Sequence, residues 1–138
     1  MNDLQKSYDE LPYISAAFPE TSPARLEALA SFLSFTPPSS KSAKVLEIGC
    51  SYGGNLFPFI ANPQAKVLGI DLSEVQINKA KELAAQMRVD NIEFKAKDIC
   101  DFTDADVSDY GKFDYIICHG VYSWVPDVVK DAILKTIK

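Results

Sequence analysis

Val45-Leu46-Glu47-Ile48-Gly49-Cys50-Ser51-Tyr52-Gly53-Gly54-Asn55 decides the fold. A short apolar run ends in a glycine-rich turn. A second run, Val67-Leu68-Gly69-Ile70-Asp71, follows at the spacing of one strand–helix–strand unit. This layout predicts two neighbouring parallel strands, with a backbone-lined cavity and an acidic side chain at their carboxyl ends. In an open α/β sheet that edge is where a nucleoside-bearing cofactor sits.

Outward from this stretch the pattern alternates strand and helix. Lys44–Ile48 reads as strand one, with a helix beginning near Gly54 and carrying Pro58 in its first turn or so, where a missing N–H costs little. Lys66–Ile70 reads as strand two. Ser73 with Gln76 forms a capping box, and Ile77, Ala80, Ala84 and Met87 share one face of the helix it opens. Ile92–Lys95 is a third strand and Phe113–Cys118 a fourth, apolar enough to be buried on both faces. Pro126 opens a last helix with Val129, Ile133 and Ile137 four residues apart. The expected fold is therefore α/β, a Rossmann-like doubly wound parallel sheet truncated after four strands. A fourth strand left at an edge would expose an apolar ribbon, a route to self-association. With no strand after the last helix, the chain reads as the first half of a longer protein.

Residues 1–43 read as an N-terminal arm and helix, and 44–138 as a partial cofactor-binding domain. Tyr8, Tyr13 and Phe18 are scattered among polar residues and prolines, an irregular arm. Ser22-Pro23 starts a helix with one apolar stripe, Leu26, Leu29, Ala30 and Leu33, and Thr36-Pro37-Pro38-Ser39-Ser40 ends it.

The 138 residues fit one domain with a real core, and 47% hydrophobic with 24% charged residues is ordinary globular composition. A net charge of −5 argues against a partner held by its phosphate backbone. No run approaches membrane-spanning length and the start lacks a signal-peptide core. Cys50, Cys100 and Cys118 lack metal-ligand spacing, so no metal is assigned; they read as reduced thiols in a cytoplasmic protein, two of them in the core.

Three readings of the glycine turn compete. A dinucleotide fingerprint wants glycine at the first, third and sixth places; Gly49 and Gly54 fit, but Ser51 holds the middle place where pyrophosphate needs close backbone. A nucleophile elbow is matched by Gly49-Cys50-Ser51-Tyr52-Gly53, with Asp98, Asp114 and His119 downstream, yet no strand lies upstream of Lys44 to supply an oxyanion donor. The third is S-adenosylmethionine, which has a cationic sulfonium, an amino acid part, ribose and adenine, and no phosphate. Glu47, Asp71 and Asp98 supply acids at three strand ends for it. An acid after a strand is also a common helix cap, and Asp71 is weighed against that.

These residues resemble the class I S-adenosylmethionine-dependent methyltransferases. Val45–Gly54 is similar to the first motif of that family, Gly69-Ile70-Asp71-Leu72-Ser73 to its second, Lys97-Asp98-Ile99 to its third, and Phe113–Ile117 followed by His119 to its fourth. More narrowly, Tyr8–Arg25, Gly53-Gly54-Asn55 and His119–Pro126 resemble bacterial methyltransferases with a methyltransferase regulatory domain, a group that includes protein-lysine methyltransferases. The resemblance implies that Gly49 and Gly53 let backbone approach the methionyl part and that Glu47 orients the loop or bonds the amino group. It implies that Asp71 takes the ribose hydroxyls, Leu72 packs on adenine, and Asp98 with Ile99 reads the adenine edge. Cys50, Asn55 and Gln76 join the implied cofactor contacts, while His119 and Gly120 close the pocket near the reactive methyl. Tyr122 and Trp124 would wall the acceptor side, and Tyr8 and Tyr13 would lid the cofactor.

The implied reaction is in-line displacement at a sulfonium methyl, so the protein desolvates and aligns two reactants. The acceptor is a protein, through a lysine that must arrive neutral, or a small molecule. His119, the single histidine, is the one candidate base. Nucleic acid is not expected as acceptor, since His119-Gly120-Val121-Tyr122 is no Asn/Asp-Pro-Pro-aromatic tetrad. Turnover by four strands alone is doubtful, which leaves a non-catalytic cofactor-binding fragment as the alternative.

Overall fold

The computed structural model describes residues 15–138, so the expectations placed on Tyr8 and Tyr13 lie outside the described residues. Four strands, β1 (Lys44–Ile48), β2 (Lys66–Asp71), β3 (Ile92–Ala96) and β4 (Tyr115–Ile117), form one sheet in the order β3-β2-β1-β4. Every pairing is parallel, with Glu47 opposite Gly69 on one side and Ile117 on the other. Three α-helices are described: α1 (Pro23–Phe32), α2 (Glu74–Gln86) and α3 (Asp127–Ile137).

Why the central strands are apolar throughout follows from what covers them. Successive side chains alternate faces. Val45 and Val67 enter a cluster with Leu56, Phe59, Phe94 and the α2 residues Ile77, Ala80 and Ala84. Leu46, Ile48, Leu68 and Ile70 enter a second cluster with Ile99, Tyr110 and the α3 residue Ile133. Helices thus lie on both faces. Each fully buried Leu or Ile contributes about 1.5–3 kcal/mol from removal of apolar surface from water. Lys44 N–H donates to Asp114 Oδ2 (2.8 Å) and Asp114 N–H to Lys44 O (2.8 Å), which registers the entry to β4 against the start of β1.

Several local expectations are corrected. The segment after the glycine turn is not an α-helix from Gly54; turns lead into a 3-10 helix, Phe57–Ala61. Two glycines, then Pro58 and Pro63, leave too short a run of donors for α-helical bonding. β3 extends to Ala96, whereas β4 keeps three residues and sits at the sheet edge with Tyr115 and Ile116 only half-buried. The stripe on α1 does not face the core: Leu26, Leu29 and Leu33 are exposed, and so is Phe32. Met87 and Ile137 are exposed too, lying at or beyond the last turns of α2 and α3. Among the thiols Cys50 is buried and Cys118 half-buried, while Cys100 is exposed.

Candidate functional site

The glycine turn folds over the end of β2. Gly49 and Cys50 N–H groups both donate to Ile70 O, at 2.8 and 3.1 Å. Gly49 (φ +77°) and Gly53 (φ +80°) adopt left-handed backbone that favours glycine. Their surroundings differ. A Cβ on Gly49 would collide with Val121, and one on Gly53 would lie 2.5 Å from Phe94 Cζ. Gly53 therefore admits an aromatic ring to the core and is not among the residues that line the cavity at the strand ends.

Asp71 holds the turn from outside. Its Oδ2 accepts from Ser51 N–H (2.8 Å) and its Oδ1 from Ser73 N–H (3.0 Å). Ser73 Oγ in turn accepts from Gln76 N–H (3.2 Å) and caps α2. One carboxylate thus joins the glycine turn to the start of the next helix while facing the cavity.

Glu47 closes β1 at only 4% exposure. Its Oε1 accepts from Asn55 Nδ2 (2.8 Å), but Oε2 is buried with no partner. Burial pushes this carboxyl up to about 7; the Asn55 bond opposes the shift and the charge of Asp71 adds to it. Cys50 is also buried, and burial followed by the charges of Asp71 and Glu47 pushes its thiol well up, so it packs as an inert group. Ser51 Oγ is buried without a partner, so nothing activates it. His119 instead stacks on Phe18 with ring centroids 4.2 Å apart. This removes the nucleophile-elbow reading.

At the carboxyl ends of the strands lies a cavity of about 590 Å³, inside the range of small-molecule sites of about 300–1,000 Å³. Of the residues singled out in the sequence, Glu47, Gly49, Cys50, Asn55, Asp71, Leu72, Gln76, Asp98, Ile99, His119, Gly120 and Trp124 line it. Asp98 Oδ1 also accepts from Cys100 N–H (2.9 Å), capping a 3-10 turn. Tyr122 does not line the cavity; its ring lies 5.9 Å from Lys130 Nζ on α3. The lining holds three acids, Glu47, Asp71 and Asp98, against one lysine, Lys97, which is engaged by Asp106 (3.0 Å), so it is biased toward a cationic ligand.

Sequence reasoning missed one wall. Ser15, Ala16 and Phe18 line the cavity, with Gly54 N–H donating to Ser15 Oγ (2.7 Å) and Phe18 N–H to Asn55 Oδ1 (3.0 Å). The available signal was Phe18 itself, an aromatic just ahead of the Ser22-Pro23 helix start. Val121, Val125 and Val129 add an apolar side, of which periodicity had marked only Val129, on the last helix.

Residues 39–138 match a family described as a methyltransferase domain. The chain is 46% identical over 129 residues to protein RP789 of Rickettsia prowazekii, covering 93% of this chain and 23% of that protein. Similarity to RP028 of the same organism is 42% over 132 residues, covering 95% and 51%. Among solved structures, PKMT2 from Rickettsia typhi in complex with AdoHcy superposes with a TM-score of 0.84 at 42% identity, covering 91% of this chain and 24% of that one. The chain thus spans between about a quarter and a half of these relatives. The fold, the cavity at its strand ends and the matched span agree, and the chain belongs to the methyltransferase-domain family, with the Rossmann-like architecture of class I S-adenosylmethionine-dependent methyltransferases.

Proposed function

We propose that the cavity binds S-adenosylmethionine and that the protein to which this chain belongs transfers its methyl group to a protein lysine. The observation that carries the reading is Glu47 Oε2, a buried acceptor with no partner, on a residue that lines a cavity whose lining is net acidic. A buried carboxylate of this kind calls for a cation or a strong donor. The amino group of the cofactor provides one.

When bound, the cofactor supplies the electrophilic methyl on its sulfonium. Glu47 holds the amino end, and the Gly49 and Cys50 backbone walls it. Asp71 presents its carboxylate to the ribose, with Leu72, Asp98 and Ile99 around the adenine. Val121, Val125 and Val129 make one side of the cavity apolar, which favours a neutral amine over an ammonium. His119 and Phe18 bound the rim. Support for a cofactor of this class comes from PKMT2, solved with AdoHcy. Support for the lysine acceptor comes from the resemblance of His119–Pro126 and the likeness to that same protein.

A small-molecule acceptor is the second reading, favoured by 36% identity over 84 residues to the ubiquinone biosynthesis O-methyltransferase of Acinetobacter baylyi. Calorimetry with S-adenosylhomocysteine tests the pocket; a folded sample that gives no heat overturns the cofactor reading. Transfer of tritiated methyl by the full-length protein to candidate proteins and small amines or phenols separates the acceptors. Label appearing only in small molecules removes the lysine assignment.

A further inference from the structure

We propose that Asn55 is a positioning residue that couples closure of the 15–21 arm to occupancy of the cavity. The proposal rests on the cofactor reading above and adds a residue that acts through Glu47 without serving as the ligand's own acceptor. The Asn55 amide stands between two groups that belong to different parts of the molecule. Its Nδ2 donates to Glu47 Oε1 (2.8 Å) and to Thr21 Oγ1 (2.9 Å). Its Oδ1 accepts from Phe18 N–H (3.0 Å) and Thr21 Oγ1 (3.2 Å).

Only one orientation of the amide satisfies both sides. Phe18 N–H is a donor and must meet the oxygen; the carboxylate accepts and must meet the nitrogen. The bond to Glu47 is stronger when that carboxyl is ionised. A cationic group at Glu47 Oε2 keeps it ionised, and so tightens the amide in the orientation that receives the arm. The same Phe18 whose N–H meets the amide also lays its ring against His119. Ser15, Ala16 and Phe18 thereby form a wall held at Ser15 by Gly54 N–H and at Phe18 by the Asn55 amide. Glu47 and Asn55 lie on either side of the glycine turn in sequence, and one bond joins them directly.

The test is amide hydrogen exchange at Phe18, read by NMR on the whole chain with and without S-adenosylhomocysteine. In the unaltered protein the ligand slows exchange at Phe18 by about tenfold or more, the yield of one charge-assisted bond. Asn55→Ala abolishes that slowing and raises the pH midpoint of ligand affinity, because Glu47 loses the donor that favours its ionised form. Thr21→Val removes the threonine's bonds to the amide and leaves that of Phe18 N–H; it reduces the slowing and leaves the pH midpoint in place. A merely structural role for Asn55 weakens binding equally at all pH values. Slowing that persists in Asn55→Ala, or a midpoint that does not move, overturns this proposal alone. An unaltered protein that stays folded and never binds the ligand overturns the cofactor reading, and this coupling with it.

Discussion

Glu47 sets the pH behaviour of the site. In the unfolded chain its carboxyl ionises at the ordinary 4.5, and in the folded protein it keeps its proton up to about 7. Between these values the folded state binds more protons, so stability is greatest below about 4.5 and is lost as pH rises toward 7. The full difference corresponds to a ceiling of about 3 kcal/mol. Urea denaturation of the unaltered protein at pH 5 and pH 8 should show this decline, and Glu47→Gln should flatten it while weakening S-adenosylhomocysteine. A Glu47→Gln curve as steep as the original would assign the pH response to other groups. Ligand affinity runs the other way, falling as pH drops below about 7, because a protonated Glu47 offers a cation nothing. Asp71→Ala strips two backbone N–H groups of their acceptor and should cost about 1–3 kcal/mol in thermal denaturation even without ligand. Both acids were legible in the sequence because a strand end followed by a turn fixes where an acid must stand. The second duty of Asp71, holding Ser51 N–H, was not, since it depends on how the turn folds back over β2.

Elements were legible where local chemistry decides them. Ser73 begins α2 as its hydroxyl predicts, and Ser73→Ala should cost about 1 kcal/mol by chemical denaturation. The segment after the glycines escaped because proline and glycine spacing, rather than hydrophobic period, governs it. Gly53 shows the limit most clearly. Its neighbour Phe94 comes from a distant strand, so no window of sequence joins them. Gly53→Ala combines left-handed backbone with a collision against that ring and should lose about 2–3 kcal/mol, seen as a lower melting temperature with the cavity residues untouched. A neutral outcome would mean that Phe94 repacks freely. The stripe on α1 was legible as apolar, and its exposure was not, because periodicity reports a face without saying what covers it.

The whole molecule carries apolar surface on α1 and leaves β4 at the sheet edge. Phe32 is 86% exposed, and no helix among the described residues is long and apolar enough to cross a membrane. Large exposed apolar faces and an open strand edge favour association. Sedimentation of this chain should depend on concentration, and Phe32→Lys should reduce that dependence; identical behaviour of the two would place the contact elsewhere, at β4. The parallel sheet and its two-sided core were readable because buried strands and flanking helices repeat one pattern, whereas the arm, lacking any repeat, had to be seen. Trp124 is the sole tryptophan, stands 76% exposed and borders the cavity. Its indole emission therefore comes from a single place, and any molecule that dries that place should shift the emission to the blue. The chain carries its own optical gauge of filling, readable in a cuvette without label or substitution.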